Sequence, residues 1–148
     1  MVTGASSGIG LATARMAAER GAQVVLAARS EGVLARVAAG LGPKVAYVVA
    51  DVGRCEDVQA IADKAVATFG GFDTWVNVAG LTVYGPLREI AHEDHERLIR
   101  TNLWGTVNGS LVAIEHLRQR GGALINVGSI ASDLAFPFRG STPPPSTR

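Results

Sequence analysis

Three glycines near the start carry the first chemical signal. Gly4, Gly8 and Gly10 stand in Thr3-Gly4-Ala5-Ser6-Ser7-Gly8-Ile9-Gly10, just after the apolar pair Met1-Val2 and at the head of a helical pattern. Glycine is needed where a backbone turns tightly and where it must come into contact with a pyrophosphate. A helix that follows such a turn aims its N-terminal amides and the positive end of its dipole at the anion. Gly4, Ser6, Ser7, Gly8, Ile9 and Gly10 are therefore a candidate phosphate cradle. The helix behind it is expected to bury Ile9, Ala12, Met16 and Ala17. Gly-rich turns are common, and the three glycines alone say little. Their spacing says more, because TGxxxGxG differs from the GxGxxG of ordinary dinucleotide folds.

A cradle of this kind needs a strand before it and a layered frame around it. The chain alternates short apolar runs with longer segments of helical period, the pattern of βαβ units around a parallel sheet. Val24 to Ala28, Val45 to Ala50, Thr74 to Val78 and Ala123 to Val127 read as strands. Their continuous apolarity suits strands covered by helices on both faces. Val58, Ile61, Ala62, Ala65, Val66 and Phe69 mark one helix with a buried stripe. A longer helix is expected from near Glu93 to Gln119, with Leu103, Val107, Leu111, Ile114 and Leu117 on one side. Gly21, Gly70-Gly71 and Gly121-Gly122 read as C-terminal helix caps. The expected fold is an α/β, Rossmann-like doubly wound parallel sheet of about five strands, incomplete, over residues 1–140. Trp75 and Trp104 read as packing residues. His92, His95 and His116 read as surface helix residues whose spacing suggests no metal site.

Four further motifs follow the glycine loop in order. They are Asp51-Val52, Asn77-Val78-Ala79-Gly80, Thr101-Asn102-Leu103 and Gly128-Ser129. Taken singly, Asp51 would serve as an N-cap or turn residue, Asn102 as a polar helix residue and Ser129 as a loop hydroxyl. Taken together with TGxxxGxG, the set resembles the short-chain dehydrogenase/reductase family over essentially all of residues 1–140. That resemblance implies hydride transfer between a nicotinamide cofactor and a carbonyl or secondary alcohol. It implies that Asp51 hydrogen-bonds the adenine amino group, with Val52 beside it, and that Asn77, Ala79 and Gly80 belong to the cofactor site. It also implies that Asn102 interrupts its helix and holds a relay water on its backbone carbonyl, and that Ser129 hydrogen-bonds the substrate carbonyl oxygen. The family has Asn-Asn-Ala-Gly where this chain has Asn77-Val78-Ala79-Gly80. The departure leaves Asn77 as a structural link between strands.

The second strand ends in Ala27-Ala28-Arg29-Ser30, with no carboxylate to accept bonds from ribose hydroxyls. Arg29 can pair with a 2′-phosphate and stack on adenine, and Ser30 can add a hydroxyl donor. The alternative is that Arg29 only covers a surface loop. The expected cofactor is NADP, with NAD the lesser candidate.

The family's Tyr-x-x-x-Lys pair is expected about a dozen residues after the serine, an interval only the resemblance supplies. Thirteen residues past Ser129 stands Thr142, and four further on stands Ser146. A missing general acid or base forfeits about 10²–10⁴ in rate. The chain as written is therefore expected to be an inactive form. The alternatives are a non-catalytic NADP-binding module and a non-functional fragment. Residues 141–148 form a Pro-rich tail in which all periodicity ends. A one-nucleotide reading-frame shift after Gly140 would account for it; the alternative is a genuine Pro-rich tail. Synonymous codons exist for which one restored nucleotide reads Gly-Val-Tyr-Ala-Ala-Ser-Lys-His-Ala.

Composition narrows the setting. With 47 % apolar and 18 % charged residues the chain is globular rather than disordered. A net charge of +1 offers no footprint for nucleic acid or an anionic membrane. The single cysteine, Cys55, fits a reducing cytoplasmic setting. The start carries no signal-peptide pattern, and no apolar run approaches the roughly 20 residues of a spanning helix. The expected partners are a small-molecule carbonyl or alcohol and, in the intact form, further copies of the chain. Sequencing the DNA across codons 140–148 should show codons compatible with the restored Tyr-x-x-x-Lys motif, and incompatible codons would remove the frame-shift account.

Overall fold

The computed structural model describes residues 1–129; the stretch 130–140 and the tail over 141–148 lie outside them. One parallel sheet forms in the order β3-β2-β1-β4-β5. Its strands are β1 (Val2–Thr3), β2 (Val24–Ala28), β3 (Val45–Val49), β4 (Thr74–Asn77) and β5 (Ala123–Asn126). The connecting helices are α1 (Gly8–Glu19), α2 (Glu31–Leu41), α3 (Cys55–Phe69), α4 (His92–Ile99) and α5 (Gly105–Arg120). The α/β doubly wound architecture and the count of five parallel strands match the expectation.

Strand β2 shows why a continuous apolar run is needed at the centre of such a sheet. Val25 and Ala27 join the core with α3 and α5, around Val58, Ile61, Ala65, Trp75 and Leu117. Val24, Leu26 and Ala28 point the other way, into the core with α1 and α2, around Ala14, Leu34 and Ala38. All five β2 residues are buried. Burying a Val or Leu side chain is worth about 1.5–3 kcal/mol, so this strand contributes to both layers at once. Strand β3 differs from expectation. Among the described residues it pairs only with β2, at the sheet edge, and it is half-buried, with Val49 exposed.

Two helices bury a different face from the one their bulky residues suggest. In α1, Gly10 and Ala14 are buried and Ala17 is partly so, while Ile9, Ala12 and Met16 are exposed. The helix runs so close to the loop before it that a Cβ on Gly10 would collide with the Gly4 carbonyl. In α5 the buried residues are Gly105, Asn108, Gly109, Ala113 and Leu117, while Leu111 and Ile114, and Leu103 and Trp104 just before the helix, are all more than half exposed. A Cβ on Gly109 would lie 2.9 Å from the Trp75 indole nitrogen and would meet the Asn77 side chain. Close approach of backbone to sheet selects the small-residue face. Trp75 is fully buried as expected; Trp104 is not a packing residue.

The expected long helix exists as α4 and α5 joined by a π-helical segment, Arg100–Trp104. Helix α3 buries Val58, Ile61, Ala62 and Ala65, leaves Val66 exposed, and ends on Gly70 in the left-handed region at φ +78°. Ala in place of Gly ordinarily stabilises a helix interior by about 0.5–1 kcal/mol. At Gly109 the sign should reverse, with Gly109→Ala lowering stability by about 1–3 kcal/mol through overpacking. Denaturant midpoints of the two proteins check this.

Candidate functional site

The loops at the carboxyl ends of β1 to β4 enclose a cleft of about 490 Å³. In an open parallel sheet, ligands bind at this edge, where the strand order reverses between β1 and β4. Twelve of the sequence candidates line it: Gly4, Ser6, Ser7, Gly8, Ile9, Gly10, Arg29, Ser30, Asp51, Val52, Ala79 and Gly80. Ala27, Ala28, Ala50, Val78, Leu81 and Thr101 also line it, although the sequence reading assigned them no role. Ala28, Ala50, Val78 and Leu81 each flank an assigned motif residue, and Thr101 directly precedes Asn102. Asn77, Asn102 and Ser129 are not on the wall.

The three glycines serve three different needs. Gly4 sits at φ +65°, and a Cβ there would come within 2.8 Å of Ala79 Cα. Gly10 lets α1 start against the Gly4 carbonyl. Gly8 sits at φ +52° with nothing within 4 Å of where its Cβ would be. Its bare backbone therefore faces open space at the N-terminus of α1. Ser7, the N-cap of α1, makes no side-chain cap bond, so its hydroxyl does not satisfy the first amides. Uncapped amides on a helix dipole suit a diphosphate. The observed cradle thus fits a dinucleotide.

Among the described residues, Arg29 is the one basic side chain on the wall and Asp51 the one acidic. No carboxylate lies in ion-pair distance of Arg29 among the described residues. Asp51 is partly committed to its own loop: Gly53 N–H donates to its Oδ1 at 2.9 Å, and its own N–H donates to Asp57 Oδ2 at 2.8 Å. Ser30 is the N-cap of α2 without a side-chain cap bond.

Residues behind the wall hold it in place. Thr3, buried at the end of β1, accepts hydrogen bonds on Oγ1 from the Val78 and Ala79 amides at 3.0 and 3.2 Å. Sequence reasoning passed over Thr3, although it opens the glycine motif. Asn77 lies beneath the cleft, with its Nδ2 donating to Asn126 Oδ1 at 2.8 Å and its Oδ1 accepting from Trp75 Nε1 at 2.7 Å. It links β4 to β5. Asn102 sits inside the π-helical segment, where its Oδ1 accepts from Leu81 N–H and its Nδ2 donates to Leu81 O, both at 2.9 Å. Asn108 Nδ2 donates to Val52 O at 3.0 Å and steadies the opposite wall; Cys55 Sγ donates to its Oδ1 at 3.3 Å. Ser129 is exposed just after β5, on the same edge of the sheet. No group of three or more His, Cys, Asp or Glu residues among those described could hold a metal.

Residues 1–141 match the profile of the family described as short chain dehydrogenase. The chain is 51 % identical over 138 residues to the uncharacterised oxidoreductase YxnA of Bacillus subtilis, covering 90 % of this chain and 39 % of that protein. A solved alcohol dehydrogenase from Thermococcus sibiricus, complexed with 5-hydroxy-NADP, superposes with a TM-score of 0.88 at 34 % identity, covering 94 % of this chain and 61 % of that one. A short-chain dehydrogenase/reductase from Burkholderia phymatum in complex with NAD superposes with a TM-score of 0.89 at 35 % identity, covering 94 % and 51 %. The chain thus spans about two-fifths to three-fifths of the length of these similar proteins. Replacing Thr3 with Val keeps the shape but strips the Val78 and Ala79 amides of their acceptor. The expected cost is about 1–3 kcal/mol, read as a lower denaturant midpoint.

Proposed function

This chain belongs to the short-chain dehydrogenase/reductase family of oxidoreductases, and from that premise we propose that its cleft binds NADP in preference to NAD. The observation that carries the reading is the Arg29 guanidinium, on the cleft wall at the end of β2, with no carboxylate in ion-pair distance among the described residues. A guanidinium in that place pairs with a 2′-phosphate, and Ser30 adds a hydroxyl. The amides at the start of α1 would hold the pyrophosphate, and Asp51 with Val52 would bound the adenine.

Bound there, the cofactor supplies or accepts the hydride. In the intact enzyme the substrate is a small carbonyl compound or secondary alcohol. Ser129 donates a hydrogen bond to the substrate oxygen as charge develops on it. Asn102 contributes its backbone carbonyl to a proton relay. The intact protein works in the cytoplasm as a homo-oligomer; the exposed side chains of Leu103 in the π-helical segment and of Leu111 and Ile114 on α5 support self-association. No helix among the described residues is long and apolar enough to cross a membrane.

A second reading is favoured by one observation. From Ser129 to Arg148 the sequence holds neither Tyr nor Lys. Residues 1–148 by themselves are therefore a non-catalytic NADP-binding module, and titration with NADPH separates that from a fragment that binds nothing. For the cofactor preference, NADPH should bind about ten- to a hundredfold more tightly than NADH, as one charge-assisted phosphate contact implies. Arg29→Asp should abolish or reverse the difference. Equal affinities before mutation would remove the case for Arg29.

A further inference from the structure

A π-helical turn in the middle of a helix is rare and leaves carbonyls without their usual partners four residues on. The turn over Arg100–Trp104 carries Asn102, whose side chain holds both the amide and the carbonyl of Leu81 on the cleft wall. Thr106, in the first turn of α5, donates from Oγ1 to the Asn102 carbonyl at 2.9 Å. Its own carbonyl accepts from Ser110 Oγ at 2.7 Å and from Asn77 Nδ2 at 3.4 Å. Thr106 thus connects the buried amide beneath the sheet edge to the asparagine that steadies the wall.

We propose that Thr106 is a positioning residue: its hydroxyl ties the Asn102 carbonyl to the first turn of α5, where the π-helical segment ends, and so keeps Asn102 turned onto Leu81. A threonine hydroxyl bonding back to the carbonyl four residues earlier bends a helix and competes with the regular amide ladder. Without that bond the Asn102 peptide is held less firmly, and its side chain turns more freely away from Leu81. The hydroxyl also fills one of the two lone pairs of the Asn102 carbonyl and leaves the other for a single further donor. Thr106 therefore sets the direction from which a relay water can approach, a consequence that rests on the proposed NADP-dependent reaction.

The test does not need that reaction. In the full chain without cofactor, hydrogen exchange at the Leu81 amide should be about tenfold faster in Thr106→Val than in the unmodified protein, and near normal in Thr106→Ser. Thr106→Ala, which has a higher helix propensity, gives the same readout should the Val variant fail to fold. NADPH affinity should fall about three- to tenfold in the Val and Ala variants and recover in Ser. Unchanged Leu81 exchange in both Val and Ala variants, or equally fast exchange in Ser, would overturn the proposal. Absence of NADPH binding in the unmodified protein would count against the cofactor reading alone, since Leu81 exchange still reports on Thr106.

Discussion

Close contact between the Thr3–Gly10 loop and the chain leaving β4 is the constraint on which the cleft depends. Gly4 reaches Ala79 because neither its own Cβ nor a longer neighbour stands between the backbones. Thr3 then accepts the amides of Val78 and Ala79, so two strands that pair only at Val2 and Val76 are tied where they diverge. Gly10 brings α1 down onto the same loop. Remove the contact and the floor and one wall of the site lose their common anchor. Bare backbone here serves packing first, and only Gly8 presents it to open space.

The helix pair on the other side repeats the strategy with different atoms. Gly105 and Gly109 let α5 settle against Val52, Trp75 and Asn77. Asn108 holds the Val52 carbonyl on one wall, and Asn102 holds Leu81 on the other. Buried amide side chains are costly unless satisfied. No buried side-chain nitrogen or oxygen among the described residues lacks a partner. The buried side chains of Asn77 and Asn108 therefore connect one element to another.

Much of this was legible beforehand because the determinants are local. Strand β2 is apolar at every position since both faces are covered, and its bounds, Val24–Ala28, are those of the apolar run. The glycine loop, the end of β2 and the motifs after β3 and β4 all reach the cleft, because strands of one parallel sheet deliver their carboxyl ends to one edge. Apolar bulk misled where close approach decided the buried face. Ile9, Met16, Leu111 and Ile114 are large and exposed, and their helices turn Gly and Ala inward instead. The π-helical turn adds a further phase error, since one extra residue per turn shifts every later position around the axis.

By itself the sequence determined the parallel α/β class, the order of the motifs and the residue types at the cradle, for these follow from periodicity and from where only glycine can stand. Tertiary structure alone decided which partners Asn77 meets as it links β4 to β5, the Asn126 side chain and the Trp75 indole. It also decided that Thr3 rather than a glycine carries the bonds to β4, and that Thr106 faces the Asn102 carbonyl. Each of those assignments depends on which partner lies opposite across a separation of many residues. A hydroxyl or an amide has the same appearance in a sequence whether it meets water, a ligand or the backbone of another strand. Only the packed distance between elements says which.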